Sequence, residues 1–215
     1  QSAHANSDIR LLFSGECFQS YQSSGASTCY DPRSKESDLD QLLKLYHEKG
    51  DSFVGEINGL FSGLLIDRKK KRALLFNDRY GIERIYFFEK NNTIFFASEA
   101  KALLRVLPEL RGFDDEGVAQ FLTYGCTLAG RTLFRNVRLL PGGSIWFFDG
   151  NSVTRKEQYF HTEDWESQPP LKEEAFELEF MDTFGRILPR YVSSDAPIGL
   201  SLTGGLDTRM IMACI

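Results

Sequence analysis

The chain has 215 residues, 42% of them hydrophobic and 26% charged, the balance of a folded soluble protein rather than a disordered or fibrous one. Its formal net charge of −5 argues against a nucleic-acid partner, whose electrostatic footprint is a basic stripe. No stretch approaches the roughly 20 apolar residues of a membrane span, and residues 1–8 lack the basic start and apolar centre of a secretory leader, so the expected location is cytoplasmic.

From the N-terminus, residues 9–13 form an apolar run that reaches Ser14-Gly15-Glu16, read as a strand ending in a turn. Residues 20–37, rich in Ser, Gly, Thr and Pro, read as a loop. Leu39, Leu42, Leu43 and Tyr46 recur at helical spacing, with Ser37 or Asp38 as cap and Gly50 beyond the end. Residues 53–100 then read as a run of strands. Short aromatic and β-branched runs at 61–66, 73–76, 85–88 and 93–97 alternate with turn-forming segments, which predicts antiparallel pairing. One of those turns is the basic run Arg68-Lys69-Lys70-Lys71-Arg72, which reads as a solvated hairpin tip.

Ser98-Glu99 opens a short helix through Leu104, and Asp114-Asp115-Glu116 opens another to about Tyr124, with its acids at the positive end of the helix dipole. Pro141-Gly142-Gly143 is a turn, and residues 144–148 and 152–154 flank Asp149-Gly150-Asn151 as a hairpin. The polar segment 161–171, with Pro169-Pro170, marks a division into domains 1–165 and 166–215. Phe176, Phe180, Phe184, Ile187 and Tyr191 share one face of a helix starting near Lys172, which Pro189 is expected to kink or end.

Four cysteines, Cys17, Cys29, Cys126 and Cys214, show no C-x-x-C spacing, which disfavours zinc and dithiol chemistry and fits a reducing compartment. His4, His47 and His161 match no motif.

The chain's last segment carries the clearest chemistry. Residues 198–202 read as a buried strand, followed by Thr203-Gly204-Gly205-Leu206-Asp207-Thr208 and a helix start. Two glycines allow a sharp turn and close approach to a ligand. Their amides can converge on anionic oxygens, and the helix N-terminus adds partial positive charge. Thr203 and Thr208 add hydroxyl donors. Asp207 beside a phosphate makes sense with Mg2+ between them. With no Lys in the loop, this is not a Walker-type element.

That string resembles S-G-G-x-D-S, the pyrophosphate loop of ATP pyrophosphatases, with Thr at both Ser positions. Upstream, Ser14-Gly15-Glu16 is similar to an N-G-E element, and Asn58-Gly59-Leu60-Phe61 with Leu65-Ile66-Asp67 to D-G-x-F-A-F-x-x-x-D. Asn77-Asp78-Arg79-Tyr80-Gly81 through Tyr86-Phe87 resembles R-D-x-x-G-x-x-P-L-Y-Y, and Phe96-Ala97-Ser98-Glu99-Ala100-Lys101-Ala102-Leu103 resembles F-A-S-E-x-K-A-L. Pro141-Gly142, Tyr159 and Asp195-Ala196-Pro197-Ile198-Gly199 continue the series. Taken in order, these motifs resemble the glutamine-dependent asparagine synthetase family.

The resemblance implies an α+β fold: a class II glutamine amidotransferase domain with two antiparallel sheets between helical layers, followed by the start of an α/β ATP-pyrophosphatase domain. It implies that L-glutamine is hydrolysed at one site. At the other, Mg-ATP activates L-aspartate or another carboxylate acceptor as an acyl-adenylate, which ammonia attacks. Relatives making a β-lactam, a lactam peptide or an amidated sugar share the loop chemistry, and a degenerate binding or scaffold module is the non-enzymatic alternative.

Ser14, Gly15, Glu16 and Asp78 are the implied glutamine-binding residues, with Asp78 on the substrate ammonium. Ser14 departs from the family's Asn, an oxyanion donor. Leu202, Thr203, Gly204, Gly205, Asp207 and Thr208 are the implied ATP-binding residues, with Asp207 toward Mg2+. The family's nucleophile is an N-terminal cysteine whose own amine serves as base. No cysteine here fits that role, Cys17 included, so none of the residues present is expected to be the nucleophile.

The lone strand at 198–202 and the all-round apolar end at 210–215 also suggest a piece of a longer protein, inactive by itself. A homodimer is implied only for a full-length parent.

Overall fold

The computed structural model describes residues 2–5, 8–18, 38–150, 152–192 and 197–214. The loop read over 20–37, the cap at Ser37, and Asp195 and Ala196 lie outside them. The chain divides into two compact units, Gln1–His161 and Thr162–Ile215, against an expected division at 165/166.

The first unit runs β1 (Ser2–Ala5), β2 (Ile9–Cys17), α1 (Asp38–Lys49), a 3-10 turn (Gly50–Ser52), α2 (Phe53–Glu56), β3 (Gly59–Asp67), β4 (Arg72–Asn77), β5 (Tyr86–Lys90) and β6 (Thr93–Ala97). It continues through α3 (Ala100–Val106), a 3-10 turn (Pro108–Arg111), α4 (Asp115–Tyr124), β7 (Arg138–Leu139), β8 (Ser144–Asp149) and β9 (Ser152–Gln158). The strands pair in the order β1-β2-β3-β4-β8-β9-β6-β5-β7, and every neighbouring pair is antiparallel.

Alternation along the strands sorts the side chains into separate cores. Phe13, Phe61, Phe76 and Phe147 pack with Leu42 and Tyr46 of α1 and Phe53 of α2. Leu75, Trp146 and Phe148 point the opposite way and join Ile85, with Phe87 and Ile94 against them. A third core places Leu103 of α3 with Leu110 and Val137 over Phe88 and Phe95. The layers are therefore helix, sheet, sheet, helix. Burial on both faces explains the unbroken apolar runs at Leu74-Leu75-Phe76 and at 145–148.

The resemblance implies two separate sheets, whereas the structure has one strand order folded back on itself. The join is a single residue pair, Thr93 with Ser152, and β8–β9 carries a register shift at Phe147/Phe148. In a flat sheet β8 and β5 would stand about 14 Å apart, three strand spacings. Their Trp146 and Phe87 rings meet edge to face at 4.8 Å, so the two halves face each other.

Two further readings in this unit are corrected. β2 does not turn at Ser14-Gly15-Glu16 but runs on to Cys17, because the glycine marks a close approach of backbones inside the strand. Residues 53–56 form a helical turn, not a strand, and bury Phe53 and Val54 in the first core.

The second unit holds α5 (Glu163–Glu166), α6 (Glu173–Val192) and α7 (Leu206–Ala213). α6 passes through Pro189 to Val192 instead of ending there. One turn earlier stands Gly185, with open space where a Cβ would be, so the backbone can yield to the proline ring. Phe176, Phe180 and Phe184 stack along one face as their spacing predicts, at 6.0 and 5.7 Å, yet Phe176 is 57% exposed. Residues 198–202 are not a strand, and Leu202 is exposed rather than buried. A strand exists through its ladder partner, and none is present among the described residues of this unit.

Candidate functional site

The approach of β2 to β3 organises one end of the sheet. Ser14, Gly15 and Glu16 pair with Ser62, Phe61 and Leu60. Gly15 has φ +118°, and a Cβ there would lie 2.0 Å from the Leu60 carbonyl oxygen, so only glycine fits. Ser62 pairs in turn with Asn77, the last residue of β4. Ser14, Ser62 and Asn77 thus form a row across three strands.

Asn77 and Asp78 are fully buried. The Asn77 amide group donates to the Pro141 carbonyl at 3.0 Å, and its oxygen accepts from the Ser144 N–H at 2.9 Å. The Tyr159 hydroxyl donates to the Asn77 carbonyl at 2.7 Å. Burial pushes the Tyr159 phenol upward against the lowering pull of Arg79, and Asp78 adds to the rise, so the hydroxyl remains a neutral donor.

Asp78 anchors the turn that follows. Its Oδ1 accepts from the Tyr80 and Ile82 amides at 3.0 and 3.2 Å, and its Oδ2 from the Glu83 amide at 3.0 Å. Its own N–H donates to the Phe61 carbonyl at 2.7 Å, and its carbonyl accepts from Gly143 at 2.8 Å. These bonds are what the Asx chemistry of a turn provides.

Between the two sheet halves lies a cavity of about 360 Å³. Leu12, Ser14, Ser62 and Leu64 line it from β2 and β3, and Ile85, Phe96, Ala97 and Ser98 from the other half. Three serines thus sit among apolar neighbours, the pattern of a small-molecule cleft with a few orienting polar groups. Of the four expected glutamine-binding residues, Ser14 lines the cavity. Gly15 and Glu16 are exposed just beyond it on β2. Asp78 is not among the lining residues; it is fully buried, and its carboxylate accepts from the amides of the 78–83 turn.

Sequence reading assigned no role to Ser62, Asn77, Ser98 or Tyr159. Each lies inside a quoted motif or ends one, and the strand register, the cavity lining and the Tyr159–Asn77 bond bring them together. Cys17, Cys126 and Cys214 are not among the cavity's lining residues.

The opposite end of β3 is closed by charge. The Tyr46 hydroxyl donates to Asp67 Oδ2 at 2.7 Å, and Arg72 bridges Tyr46, at 3.1 Å, and Asp51, at 2.9 Å. Burial alone would raise the Asp67 carboxyl, but the Lys70 amide, the Tyr46 hydroxyl and the Lys70 and Arg72 cations hold it below its ordinary value. Burial raises the Tyr46 phenol, and the Asp51 hydrogen bond raises Arg72 despite its partial burial.

The residues of the expected nucleotide loop come together at the start of α7. Gly204 and Gly205 lie in neither strand nor helix. Gly205 caps α7 with extended backbone, and its N–H donates to the Thr203 hydroxyl at 3.2 Å. The Thr203 and Thr208 hydroxyl oxygens are 3.3 Å apart, and open space surrounds the missing Cβ of Gly204. Hydroxyl and amide donors at an exposed helix N-terminus suit an anion such as a phosphate. Asp207 stands in the first turn of α7. No cluster of three His, Cys, Asp or Glu occurs among the described residues. One carboxylate is enough for Mg2+ that is also held by phosphates. Leu202 is 61% exposed beside the loop.

No helix among the described residues is long and apolar enough to cross a membrane. Residues 3–160 match the family described as glutamine amidotransferase domain. Over 213 residues the chain is 26% identical to a glutamine-hydrolysing asparagine synthetase 2 of Bacillus subtilis, covering 94% of this chain and 28% of that protein. It is 28% identical over 180 residues to the glutamine-hydrolysing asparagine synthetase B of Escherichia coli, covering 82% of this chain and 27% of that one. The chain therefore spans a little over a quarter of the length of these curated relatives. Among solved structures, a glutamine phosphoribosylpyrophosphate amidotransferase from B. subtilis, complexed with ADP and GMP, superposes with a TM-score of 0.40 at 14% identity, covering 72% of this chain and 30% of that one. The family match spans well over half of the sequence: the chain belongs to the glutamine amidotransferase domain family and is a relative of the glutamine-hydrolysing asparagine synthetases.

Proposed function

We propose that the first unit binds L-glutamine in the cavity between its sheet halves, as the amidotransferase part of an amide-forming ligase. The observation that carries this reading is the placement of Ser14 on the cavity wall, next to the Gly15–Phe61 approach, within a domain of the matching family. The serine hydroxyls can donate to a carboxamide oxygen or accept from its N–H2. Gly15 brings main chain close to the same point. Glu16, exposed one residue further, offers a carboxylate to the substrate ammonium, a charge-assisted contact. Asp78 supports the wall from behind by fixing the 78–83 turn to Phe61.

In the whole protein, ammonia released from glutamine attacks an ATP-activated carboxylate. On this reading the acceptor is aspartate and the product asparagine, and the relatives' printed names, glutamine-hydrolysing asparagine synthetases, support that product. ATP would meet this chain at Leu202, Thr203, Gly204, Gly205, Asp207 and Thr208, where hydroxyls and amides hold phosphate oxygens. Mg2+, carried by Asp207 together with those phosphates, would neutralise charge there.

Calorimetric titration tests both halves of the reading. L-glutamine should bind the chain, and Ser14→Ala with Glu16→Gln should abolish that binding. ATP with Mg2+ should bind separately and survive those substitutions. No heat with glutamine on the folded chain refutes the first assignment, and none with Mg-ATP refutes the second.

A further inference from the structure

We propose that Tyr159 is a positioning residue of the glutamine site, holding the serine row of the cavity wall from outside the cavity; this rests on the glutamine reading above. Tyr159 follows β9 immediately, and its hydroxyl donates at 2.7 Å to the carbonyl of Asn77, the last residue of β4. Asn77 is the register partner of Ser62, and Ser62 of Ser14. Both serines line the cavity, whereas Asn77 and Tyr159 do not.

The residues around Tyr159 form a clasp on the same turn. Its N–H donates to the Gly143 carbonyl at 2.7 Å, and the Gly143 N–H donates to the Asp78 carbonyl at 2.8 Å. Gln158 donates to the Gly142 carbonyl at 3.3 Å. The Phe160 ring meets Tyr80 edge to face at 5.8 Å and lies under the Arg79 guanidinium at 5.9 Å. Without a Cβ, Gly142 lets the two turns touch, since one there would sit 2.7 Å from the Arg79 carbonyl oxygen. A part-buried hydroxyl, kept neutral, thus fixes the end of β4 from which the wall's register is counted.

The test compares Tyr159→Phe with Tyr46→Phe, which removes a buried hydroxyl at the far end of β3. L-glutamine affinity is measured by calorimetry at a temperature where circular dichroism shows each variant fully folded. Losing one hydrogen bond that matters to the wall should weaken binding about tenfold in Tyr159→Phe and leave Tyr46→Phe within about twofold of the parent. A merely structural role lowers the unfolding midpoint of both and the affinity of neither, and that result overturns the proposal. A parent chain that binds no glutamine overturns the glutamine reading itself. Should Tyr159→Phe not fold, hydrogen exchange on the unmodified chain decides: glutamine should slow the Tyr159 and Gly143 amides, and unchanged rates there overturn the proposal.

Discussion

Replacing Gly15 by alanine probes the feature on which the candidate site depends. The backbone at φ +118° is a region in which a non-glycine residue costs about 1–3 kcal/mol. The new methyl would also sit 2.0 Å from the Leu60 oxygen and 2.7 Å from the Phe61 Cα. Both are backbone atoms, so no rotamer relieves the clash and β2 must part from β3. Overpacking of that kind costs about 1–3 kcal/mol more. The expected loss is therefore about 4 kcal/mol, read as a fall in the urea midpoint. Gly50→Ala is the control. Its φ is +61°, but nothing lies within 4 Å of the added Cβ, so backbone conformation alone acts and the loss should be about 1 kcal/mol. Equal losses at the two positions would show that β2 and β3 do not approach as described, and the site built on that approach would fall with it.

Asp78→Asn should cost about 2 kcal/mol in urea unfolding, because one carboxylate oxygen becomes a donor facing a backbone N–H; an unchanged midpoint would refute its anchoring role. The Asp67 carboxyl lies below its ordinary value in the folded chain, so its contribution is present above the unfolded-state pKa and lost as pH falls through the folded one. Asp67→Asn should accordingly flatten the acid limb of stability against pH, and an identical acid limb counts against the Tyr46–Asp67–Arg72 cluster as described. Thr203→Val with Thr208→Val should weaken Mg-ATP binding about tenfold or more while sparing glutamine binding. Undiminished ATP affinity removes those hydroxyls from the nucleotide site.

The periodic parts of this fold were readable because burial imposes them. Leu39, Leu42, Leu43 and Tyr46 announce α1, and the run at 93–97 announces β6 to the residue. The errors share a cause: each depended on a neighbour in space. Gly15 looks like a turn until Leu60 is known to lie against it. Residues 198–202 look like a strand because apolar sequence suggests burial, but no chain is there to supply the ladder among the described residues. The site was half legible. Motif spacing pointed to Ser14 and its neighbours, while Ser62 joins it through strand register, Ser98 through the cavity wall and Tyr159 through its bond to Asn77, all far from Ser14 in the sequence. Asp78 was legible as an acid in a turn, but its burial and its bonds to the Tyr80, Ile82 and Glu83 amides depend on neighbours in space.

The sheet's two ends also differ in how they hold their acids. At the closed end, Asp67 and Asp51 meet Lys70, Arg72 and Arg155, so the carboxylates are matched by cations. At the cavity end, Asp78 is held by backbone amides alone, and among the described residues no ion pair joins it or Glu16 to a cation. Dipoles fix a carboxylate without cancelling its charge, and the Arg79 guanidinium lies at this end too, over the Phe160 ring at 5.9 Å, so the ends differ in how their acids are held rather than in whether a cation is near. Bonds from Tyr159, Asn77 and the turn amides therefore give this wall its rigidity, where ion pairs give it at the other end.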